Sequence, residues 1–145
     1  MAEQAQNYKN HARLLPPFHF FVIPVLLINF LNEIRHVWLD PNLNTAFALV
    51  VAVALLMLGL LSRIMTLTVQ NRVIRLEMRL RLRGSLPAEL HNRINDLTPK
   101  QLIALRFASD AELPELVRDV LAGKLGAQKE IKMRVKNWQA DYLRA

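Results

Sequence analysis

From Ile74 to Arg83 the chain reads IRLEMRLRLR, apolar and charged residues in strict alternation. A period of two is the pattern of a half-buried strand. The surroundings argue for a helix instead. The alternation is joined to an apolar run, Ala46 to Leu61, and no Gly or Pro lies between them. Leu, Met, Arg and Glu are strong helix formers, and few residues in the stretch are β-branched. Gly84 and then Pro87 supply a stop. Wrapped on a helix, Val69, Val73, Leu76 and Leu80 make one apolar stripe, and Leu67, Ile74, Met78 and Leu82 another roughly opposite. Arg72, Arg75, Arg79 and Arg83 form a ridge between them. Such a helix needs two neighbours: this chain's later helices on one side, another protein or lipid on the other.

Two apolar segments dominate the first half. The first is PPFHFFVIPVLLINFLNEIRHVW, with Pro16 and Pro17 suited to a first helical turn and Pro24 expected to bend the span. The second is LNTAFALVVAVALLMLGLLSRIM, in which Ala46 to Leu61 has no polar side chain and Asn44 or Thr45 is placed to cap the start. Gly59 is small enough for a close helix contact. Each segment matches the ~20 residues needed to cross a bilayer. The first lacks a small-residue cleavage site after its apolar run and reads as an anchor, not a signal peptide. The second is too uniformly apolar for a soluble bundle. Asp40-Pro41-Asn42 is a turn signal between the two, and Trp38 suits the headgroup level.

The second half carries helix punctuation throughout. LPAELHNRINDL reads as a short helix with Pro87 in its first turn. Thr98, Pro99 and Gln101 form a capping box. Ser109 and Glu112 repeat that arrangement, although Pro114 fits only near the start of the helix that follows. Leu113, Leu116, Val117, Val120 and Leu121 make its apolar stripe, and Gly123 its stop. Ile131, Val135, Trp138 and Tyr142 fall at helical spacing in the last segment, opposite Lys129, Lys132 and Lys136.

The expected class is therefore all-α: a two-helix transmembrane hairpin, its second helix extended into the cytoplasm, and then a small helical tail. The divisions are an amino-terminal segment at 1–15, the hairpin at 16–65 with spans at about 17–38 and 44–65, the arginine-rich helix at 66–84 and the tail at 85–145. A second helix unbroken from Thr45 to Arg83 would be roughly 58 Å long.

Composition fits this picture. The chain is 52% hydrophobic yet carries a net charge of +7. Arg63, Arg72, Arg75, Arg79, Arg81 and Arg83 follow the second span against Glu77, while Lys9 and Arg13 precede the first. The positive-inside rule then predicts a multi-pass protein with both termini cytoplasmic and the connecting loop outside. The absence of cysteine removes disulfides, thiolate metal sites and thiol nucleophiles.

QNRVIRLEMRLRLR, LIALRFASDAELPELV and IKMRVKNWQADYLRA, together with NYKNHAR and the paired spans, resemble an uncharacterised family of small bacterial double-spanning membrane proteins, catalogued as a domain of unknown function. The likeness covers nearly the whole chain. It implies a bacterial inner-membrane protein with a cytoplasmic helical tail, and it supplies no activity and no catalytic residues.

The residues themselves point away from an enzyme. There is no Gly-rich phosphate loop and no HExxH, and no metal or cofactor is expected. A haem would need paired histidines; His19 reads as an interfacial side chain and His36 as part of the outer loop. Asn29, Asn32 and Glu33 are polar positions toward the outer end of the first span, and Asn29 is placed for a hydrogen bond between helices. The arginine ridge admits topology and solvation alone, anionic lipid, or acidic groups of another subunit. Nucleic acid is the weakest reading of the ridge, which lacks interleaved aromatics and sits next to the membrane, and no nucleic-acid partner is expected. Trp138, Asp141 and Arg144 share a face at helical spacing, a docking surface or an anchor to the tail's own core. The expected function is an accessory or assembly subunit of a membrane complex. It would hold other membrane-protein subunits or its own copies through Val73, Leu76, Leu80, Arg72, Arg75, Arg79, Arg83 and Trp138. The alternative is a homo-oligomeric anionic-lipid-responsive or small transport protein.

Overall fold

The computed structural model describes residues 7–8 and 14–141. Lys9, Arg13, Tyr142 and Arg144 lie outside the described residues. Among those described, the chain forms α-helices α1 (Ile23–Leu39), α2 (Leu43–Ser85), α3 (Ala88–His91), α4 (Pro99–Leu105), α5 (Leu113–Leu121) and α6 (Gln128–Arg134). They fall into two compact units, one formed by Leu14–Thr68 and the other by Asn7, Tyr8 and the described residues from Val69 onward.

In the first unit a π-helical turn, Phe18–Val22, precedes α1, and Pro24 sits in the first turn of α1. Proline has no N–H to give to the preceding turn. The wider turn absorbs that loss, with the Ile23 N–H bonding back to the Phe18 carbonyl. His36 belongs to the last turn of α1 and not to the loop expected from the sequence. The start of α2 is capped by Asn42, whose Oδ1 accepts from the N–H groups of Asn44 and Thr45 at 2.9 and 3.0 Å. Thr45 reciprocates, its Oγ1 accepting from the Asn42 N–H at 3.1 Å. The cap is thus two residues before Asn44 and three before Thr45, because a capping side chain must precede the N–H groups it satisfies. Gly59 of α2 faces α1: a Cβ there would meet Leu26 Cδ1 at 3.1 Å. Ser62, Thr66 and Thr68 satisfy their hydroxyls on carbonyls three or four residues back in their own helix.

The helices that contain the spans expected at about 17–38 and 44–65, Phe18–Leu39 and Leu43–Ser85, are long and apolar enough to cross a membrane. Only 0% and 6% of their most apolar windows are buried inside the protein.

The second unit has its own core. Ile74, Met78 and Leu82 of α2 join Leu90, Leu102, Leu105, Leu113, Val117 and Ile131. Local signals set most of its elements. Thr98 and Gln101 form the expected capping box at α4. Gly123, at φ +76°, ends α5. The N–H groups of Gly123 and Lys124 bond to the carbonyls of Val120 and Asp119, which satisfies these two carbonyls in the last turn of α5. Two local expectations give way. The Ser109 turn precedes α5 without being its cap: Glu112 takes that position and Pro114 the first helical turn. The last segment is helical only to Arg134, and beyond it the chain is extended.

Candidate functional site: the two sides of the arginine-rich helix

The part of α2 within the second unit, from Val69 to Ser85, has two different faces. Ile74, Met78 and Leu82 are between 0 and 6% exposed, covered by the helices that follow. Val73, Leu76 and Leu80 are 48 to 61% exposed, and Val69 is exposed with them. This is the consequence of alternation on a helix: residues i, i+2 and i+4 cannot all share one side. The buried stripe matches the later helices. The other is a continuous apolar face on the surface.

The arginines divide in the same way. Arg72, Arg75, Leu76 and Arg79 line one open cleft. Arg72, Arg79 and Arg83 have no ion pair among the described residues, and Arg75 donates to the Asn71 carbonyl of its own helix at 3.1 Å. Glu77 is exposed on the opposite flank of the apolar stripe, also without an ion pair among the described residues. A guanidinium that stays charged and unmatched keeps all its donors for an incoming acceptor.

Arg81 behaves differently, and the sequence counted it only toward membrane orientation. Its guanidinium turns into the second unit, donating to Asp110 Oδ1 at 2.6 Å, the Ala108 carbonyl at 2.6 Å and the Arg106 carbonyl at 3.1 Å. It also donates to Gln139 Oε1 at 2.5 Å. Arg81 thereby ties α2 to two loops that carry no regular hydrogen-bond ladder of their own. The available signal was its position beside Leu82 on the buried flank, where a fixed fork with five donors satisfies several acceptors at once.

Trp138 is half-buried and stacks on Phe107, ring centroids 4.4 Å apart and planes at 20°. Its backbone pairs with Ala108 as an isolated antiparallel bridge, and the Gln139 N–H donates to the Phe107 carbonyl at 2.7 Å. Arg106, buried beside the same ring at 4.3 Å, pairs with Asp141 at 3.1 Å. Trp138 and Asp141 are therefore drawn to the tail's own core, on extended chain and not on the expected helix face.

The polar positions of α1 separate. Asn29 and Glu33, one turn apart, are half-buried, while Asn32 is exposed. Asn29 makes no side-chain hydrogen bond among the described residues, so the expected bond between helices is not formed. Among the described residues no three of His, Cys, Asp and Glu come together as a metal site.

The class defined by these observations is an all-helical protein with two helices fit to cross a membrane and a separate helical unit built on the second of them. The chain belongs to the family of unknown function DUF6526, whose family model matches residues 1–145. No curated protein and no solved structure matches it.

Proposed function

We propose that the protein is a non-enzymatic membrane subunit that holds a protein partner on the exposed face of α2. In this reading α1 and the first part of α2 cross the bilayer as an antiparallel hairpin, with both termini in the cytoplasm of a bacterium. The low burial of both apolar helices supports it, since the core helix of a soluble protein would be covered by its neighbours. The orientation rests on the arginines after the second span and the loop without net charge. The observation that carries the functional reading is the uncovered stripe of Val69, Val73, Leu76 and Leu80 beside arginines with no acid partner among the described residues. An apolar face flanked by unpaired charge is the anatomy of an interface that lacks its other half.

The test begins with extraction from the native membrane in mild detergent and the mass of the intact particle. A particle heavier than one chain is expected. The combined change Val73→Gln, Leu76→Gln and Leu80→Gln should release the chain from it while leaving the protein in the membrane fraction. A single-chain particle, or one indifferent to the triple change, would overturn the reading. Topology is read separately: a cysteine placed at Asp40 should react with an impermeant reagent from outside, and one at Glu89 only after the membrane is opened.

The cleft of Arg72, Arg75 and Arg79 favours a second reading, an anionic lipid surface, since each basic residue near the membrane contributes ~1 kcal/mol. Binding to acidic vesicles that weakens as salt is raised would mark it.

A further inference from the structure

We infer that the partner on this face is a second copy of the same chain, lying parallel and in register. The inference rests on the membrane reading above and names its occupant. Val69, Val73, Leu76 and Leu80 follow one another at spacings of four, three and four residues, the seam of a coiled coil. With Val73 and Leu80 at the first seam position and Val69 and Leu76 at the second, the flanks are fixed. Arg72 and Arg79 precede the seam positions Val73 and Leu80 on one side, and Glu77 follows Leu76 on the other.

In a parallel pair the residue on the first flank meets the partner's residue five positions later on the second flank. Arg72 thus meets Glu77 of the other copy, and the symmetry of the pair forms this contact twice. Glu77 is the one acidic residue among the six arginines from Arg63 to Arg83, and it stands at the position this register requires. An antiparallel pair would set Arg72 and Arg79 against arginines. Membrane insertion in a single orientation also makes two copies of α2 parallel, which agrees with the charges.

The opposite side of α2 is already occupied. Ile74, Met78 and Leu82 fall away from the seam and are buried in the tail, so a partner on the seam displaces nothing. Arg83 takes the next seam position, where two guanidinium groups would face each other, and it ends the contact at Leu80. A seam of about three helical turns is short for a dimer free in solution. Confinement to one membrane raises the effective concentration of the second copy and compensates for that shortness.

The chain has no cysteine, so single cysteines report the geometry directly. In the full-length protein in its membrane, mild oxidation should join two chains through cysteine at Leu76 or Val73. Cysteine at Asn71, away from the seam, should give at least tenfold less. Arg72→Glu and Glu77→Arg should each cut the yield at Leu76 several-fold, and the two together should restore it. Equal cross-linking at all three positions, or no rescue by the exchanged pair, overturns the inference. A dimer yield that follows anionic lipid content and ignores the exchange assigns the arginines to lipid and overturns it as well. If cysteine at Leu76 instead joins a different protein, the second copy is wrong while the interaction reading stands. Loss of the unmodified chain from the membrane fraction would sink that reading itself.

Discussion

Two arginines two residues apart on α2, Arg79 and Arg81, have opposite fates. Arg81 is 21% exposed at its side chain and makes four bonds to the loops around Ala108 and Gln139. Arg79 is exposed and has no ion pair among the described residues. The apolar residues beside them repeat the contrast: Leu82 is 0% exposed and Leu80 60%. Similar residues thus carry different burdens, and what separates them is the angle each makes around the helix axis. One side of α2 is part of a folded core. The other keeps its apolar surface and its charge for a contact outside the chain.

Truncation at the two leucines should break the symmetry of the sequence most visibly. Leu82→Ala removes methyl groups from a packed interior and should cost about 2–5 kcal/mol of the tail's stability. Leu80→Ala should stay within about 0.5 kcal/mol in the same measurement. Hydrogen exchange of the amides of α4 and α5 in the full-length protein reads both. Equal losses would mean that the exposed stripe also supports the tail's own fold.

The arginines come next in size. Arg81→Ala leaves the Ala108 and Arg106 carbonyls without this donor and should cost about 2–3 kcal/mol. Arg81→Lys should not restore it, since an ammonium cannot reproduce a planar fork. Arg79→Ala should change the tail by no more than about 0.5 kcal/mol. Protease sensitivity of the segment between Ser109 and Gln139 separates the three variants.

Much of this contrast was legible in the sequence, because it depends on helix periodicity alone. The opposed stripes of α2, the capping box at Thr98 and the stop at Gly123 are all local patterns. What was not legible depends on partners far along the chain. Ile131, Val135 and Trp138 keep helical spacing, yet the helix ends at Arg134. The Glu112 carboxylate accepts from the N–H groups of Lys136 and Asn137 at 3.1 and 3.2 Å. Phe107 then takes the Trp138 ring and the Gln139 N–H. These contacts satisfy backbone groups that a longer helix would have paired internally, and they remove the need for it. Arg81 was hidden for the same reason: its acceptors lie 25 to 58 residues away. For the exposed face, sequence supplied the residues and their flanks, and the structure supplied which stripe remains uncovered.

The covering layer itself can be loosened by smaller amounts. Gly123 has nothing within 4 Å of the place a Cβ would occupy, so its constraint is its φ of +76° and not its packing. Gly123→Ala should cost about 1–2 kcal/mol, the penalty of a left-handed backbone for an L-residue. Thermal unfolding of the tail by circular dichroism would show it. The exposed face of α2 should be unaffected, so cross-linking through cysteine at Leu76 should be unchanged at temperatures where the tail stays folded.

The smallest expected effect is on pH dependence. Glu130 reaches back to the start of α6, its carboxylate accepting from the N–H groups of Ala127 and Gly126 at 3.0 and 2.9 Å. These bonds favour the charged form and hold its pKa below the ordinary value of 4.5. A carboxyl with a lowered folded-state pKa stabilises the fold above its unfolded value. That contribution is complete above about pH 4.5 and fades as pH falls through the lower, folded value. Ala127 has no side-chain acceptor, so Glu130 is the group that caps these donors. The protection of the amides at the start of α6, measured against their intrinsic exchange rates at each pH, should therefore fall on acidification, and Glu130→Gln should flatten that dependence while lowering protection at neutral pH slightly. The effect should stay confined to α6, because Glu130 is fully exposed while Ile131 beside it is what reaches the core. If acid instead loosens the contacts around Leu82, α6 and α2 share one cooperative unit more tightly than a surface cap can explain, and the covered side of α2 depends on charge as well as on packing.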